Sequence, residues 1–91
     1  KKHIILGMMA NKDHEEYMSY FKNISSLTTI DIPNQPNSIK GKDLKNKLDK
    51  FPNLNYEKSI EDALKKISTN KDDIILITGS LYLAGEVLNL N

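Results

Sequence analysis

Ninety-one residues, of which 38% are hydrophobic, 27% charged and 7% aromatic, make one small globular domain and exclude a complete multi-domain enzyme, a collagen-like chain and a disordered acidic tail. Thirteen lysines against twelve acids leave a net charge of +1, and without a dense basic face nucleic acid and anionic membrane are excluded as main partners. The chain has no cysteine and no arginine; disulfides, thiolate metal sites, cysteine nucleophiles and guanidinium clamps are excluded with them, and the composition fits a cytoplasmic location.

The chain begins at Lys1 and enters an apolar run almost at once, as a fragment cut near the start of a strand would. No signal peptide is visible, and the longest apolar run, Ile74 to Ile77, is far short of the roughly 20 residues that span a bilayer.

In chain order, Ile4-Ile5-Leu6 running into Gly7 predicts a buried strand. Asp13, with Glu16 three residues on, opens a helix carrying Tyr17, Met18, Phe21 and Ile24 on one face. Leu27 to Ile32 predicts a second strand, stopped by Pro33, and Pro33 to Gly41 a loop rich in proline and asparagine. Leu44, Leu48 and Phe51 mark a second helix. Leu54-Asn55-Tyr56 predicts a short edge strand, and Ile60, Ala63, Leu64 and Ile67 a third helix entered through Ser59. Asp73 to Ile77, running into Thr78-Gly79, is a second continuous aliphatic strand of the kind covered on both faces. Leu83, Ala84, Val87 and Leu88 fall at helical spacing and predict a fourth helix over residues 81–90.

The order βαβαβαβα calls for an α/β fold: a Rossmann-like three-layer αβα module on a four-stranded parallel sheet, with right-handed crossovers and strand order 3-2-1-4. Ligands of such sheets gather at the carboxyl ends of the strands where the order reverses. Two loops therefore carry the candidate residues, Gly7 to Asp13 after the first strand and Thr78 to Tyr82 after the last. Lys12 at the entry to a helix suits an anion, and Asp13 fits an N-cap. Ser80 offers a hydroxyl, and Tyr82 an aromatic ring in the first turn of the expected helix. The first loop lacks the second glycine of a phosphate-cradling or dinucleotide motif. His3 and His14 have no partner at metal spacing; His14-Glu15-Glu16 predicts a solvated first helical turn. No nucleophile elbow and no chain order of a hydrolase triad is present.

Two segments carry a resemblance that covers the whole chain. Ile4-Ile5-Leu6-Gly7-Met8-Met9-Ala10-Asn11-Lys12-Asp13 resembles the strand, Gly-Met, small residue, Asp-Lys-Asp segment of the folylpolyglutamate synthase/dihydrofolate synthase family, with Asn11 departing from the aspartate. Asp73 to Val87, with Gly79-Ser80-Leu81-Tyr82-Leu83-Ala84-Gly85-Glu86-Val87, resembles that family's closing Gly-Ser-Leu-Tyr-Leu-x-Gly-Glu-Val segment.

The resemblance implies a partial C-terminal domain of a Mur-ligase-type folate:glutamate ligase over residues 1–91, truncated from a six-stranded domain, with the last strand left as an exposed edge. It implies an ATP-dependent ligase that adds L-glutamate to tetrahydrofolate, dihydropteroate or both through an acyl phosphate. ATP and Mg²⁺ would be held mainly by a P-loop domain preceding this one, so residues 1–91 alone would be inactive, with no catalytic residue or metal ligand of their own. Ser80 and Tyr82 would hold the incoming glutamate, and Lys12 and Asp13 would line the interdomain crevice near the phosphates. The alternative reading is a stand-alone small-molecule or protein-binding module using the same crevice without catalysis.

Overall fold

The computed structural model describes residues 1–67, 69–79 and 82–89, the last stretch as backbone only. Four parallel strands, β1 (Lys2–Leu6), β2 (Ile24–Ile30), β3 (Leu54–Glu57) and β4 (Ile74–Gly79), stand in the order β3-β2-β1-β4. Helices α1 (His14–Ser19), α2 (Gly41–Lys47) and α3 (Ile60–Lys66) connect them. This is the α/β layout and strand order expected from the sequence.

The three layers follow from side-chain alternation along the strands. Ile4, Leu6 and Leu27 point to one face, where they pack with Met18 of α1 and Leu44 of α2. Ile5, Ile30, Ile75 and Ile77 point to the other, under Ala63 of α3. β1 is thus covered twice, which is why Ile4-Ile5-Leu6 is an unbroken aliphatic run; on β4, Ile75 and Ile77 are buried under α3 while Ile74 on the other face stays exposed.

The expected fourth helix is not formed. Residues Tyr82–Asn89 are strand β5, antiparallel to β4, with Gly79 opposite Tyr82 and Ile74 opposite Asn89. Without a neighbour the outer edge of β4 would be a row of unpaired N–H and C=O groups, and β5 pairs along it from Ile74 to Gly79 with one register shift between Ile77 and Gly79. A helix here would carry Gly85 in its interior at a cost of about 1 kcal/mol. The expected exposed edge at β4 is covered by the same strand.

The first helix is also shorter than its apolar spacing predicts. It ends at the Tyr20 cap, Asn23 takes a left-handed φ of 58°, and Ile24 opens β2. Asparagine tolerates that conformation better than most residues, so it serves as the turning point.

Candidate functional site

The carboxyl ends of β1 and β4 are joined by their backbones. Gly7 N–H donates to the Thr78 carbonyl at 3.2 Å. Gly79 lies so close that a Cβ there would sit 1.7 Å from the Gly7 carbonyl oxygen, and its φ is +150°. Only glycine fits both the approach and the angle. The two loops named from the sequence therefore meet.

The loop after β1 is held from two further sides. Ala10 N–H donates to the Asn37 carbonyl at 2.8 Å, and Ile39 N–H donates to the Met8 carbonyl at 3.0 Å, so the β2–α2 connection braces it. His14 braces it from within: its Nε2–H donates to the Met9 carbonyl at 2.9 Å. With 4% of its surface exposed, His14 is a buried strut; of the first turn expected to be solvated, Glu15 and Glu16 are exposed, while His14 turns inward because its imidazole bonds the Met9 carbonyl. Tyr17 ties α1 to β4, its hydroxyl 2.6 Å from Thr78 Oγ1.

On this frame Lys12 and Asp13 line one cavity of about 380 Å³ with Met8, Glu16, Tyr17 and Tyr20. Lys12 is exposed and forms no ion pair among the described residues, so its ammonium is free to meet an anion. Asp13 is engaged as the helix cap, its Oδ1 accepting from Glu16 N–H at 3.0 Å. Ser80 lies outside the described residues. Tyr82 is placed by its backbone at the start of β5, opposite Gly79, rather than in the first turn of a helix.

A second polar assembly stands at the carboxyl ends of β2 and β3. Asp31 accepts from Gly41 N–H at 2.7 Å and from the Tyr56 hydroxyl at 2.5 Å. The carboxylate thereby caps α2, whose own N-cap, Lys40, forms no side-chain cap bond. Its hydrogen bond, followed by burial, pushes the Tyr56 hydroxyl up to about 12.

At the amino ends of the strands lies an assembly that no local pattern announces. His3 Nε2–H donates to Asp73 Oδ2 at 3.0 Å, and its Nδ1 lies 2.8 Å from the Ser26 hydroxyl. An ionised carboxylate only accepts, which puts a proton on Nε2. Asn70 N–H and then the His3 bond hold the Asp73 carboxyl well below the usual carboxylate range. Asp73 directly precedes β4. Its bond to His3 joins residues 70 positions apart, and the matching burial of two polar side chains on paired strands is the one signal that could have found it.

Among the described residues no group of three His, Asp or Glu side chains stands where it could hold a metal ion, and none of their helices is long and apolar enough to cross a membrane. The parallel sheet and the glycine-locked junction of β1 and β4 define an α/β domain of Rossmann-like layout. The chain belongs to the Mur ligase, glutamate ligase domain family, whose model matches residues 1–81. That is a family of ATP-dependent amino-acid ligases, in which this domain normally sits with an N-terminal catalytic domain. No curated protein and no solved structure matches the chain.

Proposed function

We propose that the chain is the C-terminal domain of a folylpolyglutamate synthase/dihydrofolate synthase, which joins L-glutamate to the carboxylate of tetrahydrofolate, dihydropteroate or both. The observation that carries this reading is the sequence Gly79-Ser80-Leu81-Tyr82, which begins at the last residue of β4, where Gly79 packs on Gly7. In the reaction ATP phosphorylates the folate carboxylate, the glutamate amine attacks the acyl phosphate carbon, and phosphate leaves with the bond electrons. ATP and Mg²⁺ are bound mainly by the P-loop domain that this domain closes upon.

Each residue has a task suited to its chemistry. Lys12 faces the phosphates, where a compact cation offsets charge that moves onto the leaving group. Asp13 caps α1 and so fixes the position of Lys12 beside it. Ser80 and Tyr82 hold the incoming glutamate, whose carboxylates accept from their hydroxyls. His14, bonded to Met9, keeps the loop in place without touching substrate.

In the protein carrying both domains, Ser80→Ala and Tyr82→Phe raise the KM for glutamate by about tenfold each while the KM for ATP stays within about twofold. Lys12→Ala acts on ATP and kcat instead. Unchanged glutamate kinetics in both the Ser80 and Tyr82 variants would overturn the assignment.

A further inference from the structure

The face of the sheet that carries α1 and α2 is covered unevenly. Strands stand about 4.8 Å apart and a helix is about 10 Å wide, so one helix covers about two strands. Met18 of α1 packs with Ile4, Leu6 and Leu27 of β1 and β2, and Leu44 of α2 joins the same cluster. The next lane, over β4, has no helix among the described residues. Tyr17 closes its carboxyl end by the bond to Thr78. Toward the amino end Ile74 and Leu76 are left beside Ile4, and with Tyr20 and Phe21 they line a groove of about 480 Å³.

The exposed large hydrophobic side chains among the described residues are Tyr20, at 75%, and Ile74, at 38%. Both line this groove. Single apolar side chains scattered over a surface are ordinary, but two sharing one apolar groove mark a surface that is made to be covered.

The width of the lane selects a helix, and the path of the chain selects its source. From β1 to β2 and from β2 to β3 the chain travels one way across the sheet, and its helices lie on this face; from β3 to β4 it travels back, and α3 lies on the other. That is the right-handed crossover. A helix that leads into β1 from the β4 side travels the first way and so lies on this face, in the open lane. In this family the domain sits with an N-terminal catalytic domain, whose polypeptide reaches this domain ahead of β1.

Charge sets the flank of that helix. The charged residues of the groove are Lys2 and Lys22, both exposed and in no ion pair among the described residues. A second copy presenting the same groove would bring lysines to lysines, since Glu15 and Glu16 of α1 line other cavities. We propose that the groove receives an amphipathic helix from the stretch of the same polypeptide that leads into β1, with its apolar stripe on Ile74 and Leu76 and acidic residues beside Lys2 and Lys22. The proposal rests on the chain being the C-terminal domain of a longer ligase.

The test uses a single thiol as reporter. The 91-residue chain has no cysteine, so Ile74→Cys creates one alkylation site, read with iodoacetamide by mass spectrometry of its peptide. Alkylation is expected to be at least about tenfold slower in the protein carrying both domains than in the 91-residue chain, and Lys2→Glu with Lys22→Glu is expected to recover at least about threefold of that loss. Thermal melts of each variant report whether it is folded. Equal rates in the two proteins, or protection unchanged by the charge reversal, would overturn the proposal. So would protection in the 91-residue chain that grows with its concentration, which would put a second copy in the groove. The readout is protection and not ligation: a ligase with another acceptor leaves the result standing, and an active folate ligase with an open groove removes the docking alone.

Discussion

Thr28 and Thr29 are adjacent in β2 and equally hidden, with 2% and 0% of their surfaces exposed, but they face opposite sides of the sheet and are treated differently there. On the α1–α2 side the Thr29 hydroxyl donates to the Gly41 carbonyl at 2.7 Å, and its neighbours are the closed aliphatic cluster of Ile4, Leu6, Leu27 and Leu44. On the α3 side the Thr28 hydroxyl opens to a polar cavity. A buried polar group is compatible with a packed core when the fold supplies its partner, as for Thr29; otherwise the group has to reach solvent, as the Thr28 hydroxyl does through the cavity.

The largest expected effect strikes both faces at once. Gly79→Ala puts a methyl group against the Gly7 carbonyl at a φ that L side chains rarely adopt, and should cost at least about 3 kcal/mol, read as a fall in the urea midpoint. A normal midpoint would mean that β1 and β4 do not meet as described. Next, Leu44→Ala on the closed face should cost about 3 kcal/mol, while Leu64→Ala, half-buried on the α3 face, should cost about 1 kcal/mol. Equal losses would erase the difference between the faces.

The two threonines give the finer contrast. Thr29→Val removes the buried hydrogen bond to the Gly41 carbonyl and should cost about 1–2 kcal/mol, whereas Thr28→Val removes a hydroxyl that faces the cavity and should leave stability unchanged or slightly raised. Thermal melts of the two variants decide it, and a matching loss in both would show that Thr28 has a partner in the folded chain.

The smallest effects are those of pH. Asp73 has a lowered pKa in the fold, so its stabilising contribution is present above the unfolded aspartate value of about 3.9 and is lost as pH falls below it. Tyr56 has a raised one, so its contribution is complete below about 10, the unfolded tyrosine value, and lost as pH rises from there through about 12. Tyr56→Phe should flatten the alkaline limb of a stability profile and leave the acid limb alone; Asp73→Asn should do the reverse.

The strands were legible because Ile4-Ile5-Leu6 and Ile74 to Ile77 are continuous aliphatic runs; that holds in full for β1, buried on both faces, whereas Ile74 of β4 remains exposed. The crevice loops were legible for the same reason, since the ends of those runs locate them. Residues 82–89 were misread because Leu83, Ala84, Val87 and Leu88 satisfy a helical spacing while the decisive partner, the open edge of β4, is supplied only by the assembled sheet. Ile24 belongs to the same class of error, its helical spacing overridden by the left-handed turn at Asn23. The buried roles of His14 and of the His3–Asp73–Ser26 wall were not legible, because each rests on a contact set by the fold and not by a sequence interval.

The most direct measurement of the central claim combines this chain with the P-loop domain of the same enzyme and follows ADP release as glutamate is added. The account predicts glutamate-dependent release with tetrahydrofolate or dihydropteroate as acceptor, seen only when both domains are present and reduced by Ser80→Ala. Release that occurs without this chain, or that requires an acceptor other than a folate or pteroate carboxylate, would contradict it.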